Sequence, residues 1–426
     1  MTIAKRGLIL GATAAAIATV TLTGAGIHLS QSKAFFQSSP KELVDEVWQL
    51  IDRNYVDATF NQTDWQAVRA DYLGRNYTNP QEAYGAIREM LKKLQDPYTR
   101  FMDPQEFANM QVDTSGELTG VGIQITQDEK TKEIVVVAPI EGTPAFDAGI
   151  RPKDVILKID GQSTTGMELN DAVNRIRGKV GSQVTLSVRR GDQQLEVPLT
   201  RSRIEIHPVR YSRQTGPDGP VGYIRLNQFS ANSASEMGQA IKALEAQNVT
   251  GYILDLRSNP GGLLYSSIDI ARMWLSDGTI VSTVNRQGVV DAETANHRAL
   301  TKKPLVVLVD GGSASASEIL SGALQDNHRA VLVGTRTFGK GLVQSVRSLA
   351  DGSGLAVTVA KYLTPSGRDI NKHGIDPDIQ SELTEQQREF LSADRERIGT
   401  SADPQYARAL TALEAQVQEA RTTKKP

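Results

Sequence analysis

The chain contains no cysteine, which excludes both disulfides and thiolate chemistry and removes the usual clue to redox compartment. Histidine is scarce, with five in 426 residues. His28 stands near the N-terminus, and His207, His297, His328 and His373 show no metal-type spacing. A histidine triad is arithmetically available but not favoured, and neither a metal nor another cofactor is implied. Charge of either sign is not in excess, the formal net charge being -2. No basic block with interleaved aromatics offers a nucleic-acid surface. What the chain does have is length for two to four domains and 39% hydrophobic residues, enough for ordinary cores.

Lys5 and Arg6 precede an uncharged apolar segment from Gly7 to about Ile27. This pattern is an export signal, and Ser32-Lys33-Ala34 has the small-x-small form of a cleavage site that would leave Phe35 as the mature start. The segment is also long enough to span a bilayer, so an uncleaved anchor is the alternative. Either way the body is expected across a membrane from the cytoplasm, touching the membrane only through an uncleaved leader.

From 35 to 110 the pattern is helical. Ser39, Pro40 and Glu42 form a capping box with proline at the first helical position, followed by the stripe Leu43, Val44, Val47, Trp48, Leu50 and Ile51. A second helical pattern runs from Pro80 to Leu94. Asp96-Pro97-Tyr98-Thr99-Arg100-Phe101 closes the region as a proline turn to which no chemistry is assigned. Residues 116–202 change to short β-branched runs at Ile134–Val137, Val155–Ile159 and Val184–Val188, interrupted by a helix at Leu169–Ile176. From 203 to 383 strands alternate with helices: Val221–Leu226, Ser233–Leu244, and Tyr252–Leu256 ending in Arg257-Ser258-Asn259-Pro260-Gly261-Gly262. Residues 384–426 are charged, alanine-rich and helical in pattern to about Arg421, suited to packing or self-association, with Lys424 and Lys425 in a frayed end.

The segment Pro304–Gln344 carries the chemistry. Leu305–Val309 is a continuous apolar run, as expected of a strand buried on both faces. Small residues turn the chain, and Ile319, Leu320, Ala323 and Leu324 recur at helical spacing. A second run at Ala330–Val333 completes a βαβ unit, which places chemistry at strand ends. Ser315 with Glu318 reads as a capping box. It also reads as an exposed hydroxyl on a sharp strand-to-helix turn, with the next backbone N–H facing an oxyanion; neighbouring serines can satisfy both readings. Lys340 has three readings: a nucleotide-binding loop, a solvated lysine, or a buried base. The first is weakened, though left open, because Gly341 stands where a hydroxyl would hold the metal and no evident long helix follows. The third is open as well: desolvation lowers a lysine pKa, and a neutral amine could then take a proton from a serine. At Gly261-Gly262 the glycines are either a plain turn or a close approach of N–H groups to a reacting carbonyl.

GSASASEILSGALQD followed by GTRTFGKGLVQ resembles the core of the carboxyl-terminal processing (tail-specific) proteases of the cyanobacterial and chloroplast type. The resemblance implies that Ser315 is the nucleophile, Lys340 the general base and Gln344 the residue orienting the lysine. It leaves Ser313 and Ser317 structural. It also implies oxyanion donors at Gly261 or Gly262 and at Ala316, and covers Asp96–Phe101 and the closing segments Lys361–Gly367 and Gly374–Asp378. Gly120-Val121-Gly122-Ile123, Pro144–Ile150 and Asp154 with Ile159-Asp160-Gly161 resemble a PDZ domain, whose loop, here Gly120 to Ile123, would grip a substrate's free C-terminal carboxylate. The expected architecture is multidomain α+β: a signal or anchor at 1–34, a helical region at 35–110, a small β-barrel-like PDZ domain at 116–202, an α/β protease core with βαβ units at 203–383 and a helical tail at 384–426. The expected activity is that of a Ser/Lys endopeptidase cutting exported proteins near free, nonpolar C-termini, in a periplasm or thylakoid lumen, without a cofactor.

Overall fold

The computed structural model describes residues 20–21, 39–128, 130–288 and 290–422. The export signal, its cleavage site and the two terminal lysines fall outside these, apart from the backbone of Val20–Thr21. The chain divides into two compact units, one of residues 1–111 with 208–426 and one of residues 112–207.

In the first unit the N-terminal helices α1 (Pro40–Asn54), α2 (Trp65–Gly74) and α3 (Pro80–Lys92) share one apolar cluster. The box that starts α1 closes as expected: Glu42 N–H donates to Ser39 Oγ at 3.3 Å and Ser39 N–H to Glu42 at 2.7 Å. Leu43, Val44, Val47, Trp48 and Ile51 are buried, each contributing roughly 1.5–3 kcal/mol. Helix α2 was not legible in the sequence. Its stripe is short, and its start is set by the Asp64 side chain accepting from Ala67 N–H.

The centre of this unit is a sheet in the order Val209–Gly216, β1 (Gly219–Leu226), β2 (Gly251–Asp255), β3 (Leu305–Val309), β4 (Val331–Gly334) and Ile379–Gln380. Strands β1 to β4 run parallel. Every residue of β2 and β3 is buried, as a sheet covered on both faces requires. One face packs against α4 (Ser233–Ala246), α5 (Leu264–Trp274) and α6 (Ala316–Asp326). The other is covered by α7 (Pro404–Thr422), which lays Tyr406, Ala409, Leu413 and Val417 on Val221, Ile253, Val306 and Leu308. The C-terminal tail is therefore a layer of the core. Because the strands are parallel, the loops after β2, β3 and β4 emerge at one edge, bringing residues 256–263, 310–315 and 335–341 together.

A second, antiparallel sheet follows. β5 (Leu342–Ser348) pairs with β6 (Gly354–Leu363), which also pairs with Thr279–Asn285 and with Arg100–Met102. Val20–Thr21 lies parallel to Gln344–Ser345 on the outer edge of β5. Leu342–Val343 is thus the start of a strand of seven residues, although the sequence showed only a short apolar pair.

Residues 112–207 form a sheet in the order Ile123–Gln127, Ile134–Pro139, Val155–Ile159, Gln183–Arg190 and Gln193–Thr200. The helix Leu169–Ile176 packs Ala172 and Ile176 into its core, and Ile123–Gln127 lies at the sheet edge.

Candidate active site

Ser315 ends the turn between β3 and α6 with φ 56° and ψ -113°. A non-glycine residue whose backbone is held in this conformation is strained and persists only where its surroundings impose it; a serine presented at a strand-to-helix turn is the arrangement of a nucleophile elbow. Gly261, at φ +99°, makes the close approach possible, since a Cβ there would lie 2.7 Å from the Ala314 carbonyl and 2.9 Å from Ser315 Cβ. The sequence reading of an exposed hydroxyl needs correction. Ser315 is 0% exposed and its Oγ has no hydrogen-bond partner among the described residues. The Gly261 turn packs against it, and Tyr362 donates its hydroxyl to the Ser315 carbonyl at 3.2 Å.

The flanking serines are structural. Ser313 Oγ donates to the Leu256 carbonyl at 2.8 Å and Ser317 Oγ to the Asn259 carbonyl at 2.9 Å. Both stitch the Ser315 turn to the glycine turn after β2.

Lys340 is buried, and desolvation brings its pKa down to about 7, helped by the charge of Arg100 and opposed by Asp96 and Glu318. Its ammonium lies over the Tyr98 ring at 4.8 Å. The Asp96–Phe101 turn, assigned no chemistry from sequence, therefore supplies much of the lysine's surroundings. It does so because Arg100–Met102 pairs with β6, a contact across more than two hundred residues that no local pattern signals.

Glu318 is the second residue that sequence reasoning undervalued. Beyond capping the helix, its fully buried carboxylate joins the two loops. One oxygen accepts from Ser315 N–H and Lys340 N–H, both at 2.9 Å, and the other from Thr337 Oγ1 and Gly339 N–H at 2.5 and 2.7 Å. Burial raises its pKa while these four bonds pull the other way. Gln344 is buried on β5, where its Nε2 donates to Thr358 Oγ1 at 3.4 Å. Thr99 Oγ1 bonds Thr358 Oγ1 at 3.3 Å and Asp96 at 2.7 Å, tying the glutamine to the same turn that faces the lysine.

Of the oxyanion donors read from sequence, Gly261 N–H donates to its own neighbour Asn259 Oδ1 at 2.9 Å. Gly262 and Ala316 N–H make no such internal bond among the described residues. The turn is anchored from beneath by buried charges: Arg257 donates to Asp255 and, at 2.7 Å, to Asp403 ahead of α7. Burial opposes that charge, yet the two carboxylates hold the Arg257 pKa well above its ordinary value.

In residues 112–207, Gly120 ends Glu117–Gly120, paired with Ser202–Glu205, and Val121 is buried. Gly122 has φ +80°, and a Cβ there would meet Thr143 Oγ1 at 2.2 Å. Its carbonyl accepts from Ile140 N–H at 2.8 Å, and the Val121 carbonyl from Ala145 N–H at 2.8 Å. Ile123 begins the edge strand, the place where an added peptide strand would pair.

A parallel α/β sheet that presents a strained serine at a strand-to-helix turn, with a buried lysine whose backbone N–H shares the Glu318 carboxylate with that of the serine, is an arrangement suited to a serine hydrolase. Residues 220–381 match peptidase family S41, residues 109–189 a PDZ domain, and residues 38–75 the tricorn protease C1 domain. The carboxyl-terminal-processing protease of Synechocystis sp. is 47% identical over 402 residues, covering 93% of this chain and 92% of the relative. The chloroplastic carboxyl-terminal-processing peptidase 3 of Arabidopsis thaliana is 42% identical over 350 residues, 79% of this chain and 67% of the relative. Among solved structures, a photosystem II D1 C-terminal processing protease superposes with a TM-score of 0.57 at 39% identity, covering 87% of this chain and all of that one. The chain belongs to the carboxyl-terminal-processing proteases of peptidase family S41, serine-type peptidases that here carry a PDZ domain.

Proposed function

We propose that the chain is an endopeptidase with a Ser315/Lys340 dyad that captures the free, nonpolar C-terminus of exported proteins in its PDZ groove and cuts near that end. The observation that carries the reading is that one buried carboxylate, Glu318, holds the backbone N–H groups of both a strained, buried Ser315 and Lys340, whose pKa falls to about 7. Neutral Lys340 Nζ takes the Ser315 proton as Oγ attacks the scissile carbonyl. The tetrahedral oxyanion faces the N–H groups of Ala316 and Gly262, and Gly261 joins them only by leaving Asn259. As the C–N bond breaks, the lysine returns its proton to the leaving amine. Water, deprotonated by the same lysine, then hydrolyses the acyl-serine. Gln344, through Thr358 and Thr99, holds the lysine's surroundings in place. Substrate entry requires opening of the site, because Ser315 is closed off in this arrangement.

Gly120 to Ile123 would receive the terminal carboxylate, with the substrate pairing to the edge strand Ile123–Gln127. The leader pattern, together with relatives from cyanobacteria and chloroplasts, supports a location across a membrane from the cytoplasm, in a periplasm or thylakoid lumen. Digestion of a loosely folded protein with a nonpolar C-terminus, under a strong chelator, tests the reading. The chain from Phe35 onward should cut, and its Ser315→Ala and Lys340→Ala forms should not. Equal cutting by all three would place the chemistry elsewhere. Amidating the substrate's terminus should weaken its capture; unchanged affinity would remove the carboxylate from PDZ recognition.

A further inference from the structure

A cavity of about 990 Å³ opens at the carboxyl ends of β1, β2 and β3, and the chemistry above makes no use of it. Ser315, Lys340 and Gln344 do not line it. Its wall nevertheless includes Ser258 and Asp310, the starts of the turns that lead to Gly262 and to Ser315. The Asp310 carboxylate joins those turns by accepting from Ser258 N–H at 2.8 Å and Gly312 N–H at 2.9 Å.

The wall is positively charged in a chain whose net charge is close to zero. Arg210, Arg388 and Arg395 line it, are exposed, and make no ion pair with any described residue. Against them stand only Glu396 and the already engaged Asp310. Apolar surface from Leu391 and Ile398 lies on the same wall. Guanidinium forks match carboxylates in shape and bind them through paired, charge-assisted hydrogen bonds. The volume is far larger than the roughly 30 Å³ taken by a water-sized ion, and the apolar patch would be wasted on one.

We propose that this cavity is a second peptide-binding site, one that takes an acidic segment with its carboxylates on Arg210, Arg388 and Arg395 and its apolar side chains on Leu391 and Ile398. The enzyme works on polypeptides, so a segment of its protein substrate is an occupant of the right chemistry. Occupancy would bear on the turns that carry the nucleophile and the oxyanion donors, since Asp310 and Ser258 form part of the wall. The site lies outside residues 112–207 and does not depend on the Ser/Lys assignment.

The test is fluorescence anisotropy on the full chain with a labelled peptide of glutamate and leucine, amidated so that no terminal carboxylate is offered to the PDZ groove. The peptide should bind, and binding should weaken as salt rises. Arg210→Ala, Arg388→Ala and Arg395→Ala should each weaken it by roughly tenfold. The three arginines are exposed, so the variants should keep the far-ultraviolet circular dichroism of the parent. Absence of binding, full binding by the triple variant, or equal binding of a peptide with glutamine in place of glutamate would overturn the proposal. Displacement by inorganic phosphate as readily from the triple variant as from the parent would overturn it as well, by placing the peptide elsewhere.

Discussion

Lys340 is held in the fold against its own charge, and replacing it with methionine should separate stability from catalysis. A pKa that falls from 10.5 to about 7 corresponds to about 5 kcal/mol against the charged form in the folded state. The sign follows from proton counts. Between about pH 7 and 10.5 the unfolded chain holds a proton that the folded chain has released, so stability rises with pH through that window, and the full penalty applies below it. Lys340→Met keeps the length and removes the charge. At about pH 6 its unfolding free energy should exceed that of the parent, with about 5 kcal/mol as the ceiling because the lysine's contact with the Tyr98 ring is lost too. The gap should close toward zero near pH 10.5. Urea unfolding across a pH series measures this directly, while peptidase activity should vanish at every pH. A variant no more stable than the parent at about pH 6, or a gap that ignores pH, would refute a desolvated lysine.

Three further outcomes follow from the geometry. Glu318→Gln places an amide NH₂ against two of the four donors that now converge on the carboxylate. It should lower stability by about 1–3 kcal/mol and reduce kcat more than KM, which steady-state kinetics with a chromogenic peptide would resolve. Arg257→Ala leaves Asp403 buried without its counter-charge and Asp255 with only Arg225, at 3.8 Å, and should cost about 3–5 kcal/mol in denaturant unfolding; a change below about 1 kcal/mol would mean that the trio does not anchor the turn. Gly122→Ala forces a Cβ into Thr143 at φ +80°. It should weaken capture of a free C-terminal peptide in a binding assay, and unaltered affinity would detach this loop from recognition.

The parallel core was readable because its signals are local. Leu305–Val309 is apolar without interruption, and α6 announces itself by Ile319, Leu320, Ala323 and Leu324. Val155–Ile159 and Leu169–Ile176 likewise keep the bounds expected of them. The second sheet was not readable. β6 is buried along most of both faces, and its pairing with Arg100–Met102 and Thr279–Asn285 depends on partners distant in sequence.

The same limit explains the site. Ser315 and Lys340 stand in a recognisable motif, but the roles of Tyr98, Asp96 and Glu318 arise from tertiary approach. The Arg257–Asp403 contact bridges a turn and a tail helix that sequence alone treats as unrelated. The Asn259 side chain that accepts from the Gly261 N–H, the donor expected at the oxyanion, is likewise a feature that no spacing in the sequence announces.

The most direct test of the central claim is acylation of the intact protein by an activated ester, followed by peptide mass mapping across a pH series. The account predicts a single acylated serine at Ser315, with a labelling rate that rises with pH through a midpoint near 7, where Lys340 loses its proton, and collapses in Lys340→Ala. Labelling at another residue, or undiminished labelling of Ser315 without the lysine, would contradict a Ser/Lys dyad.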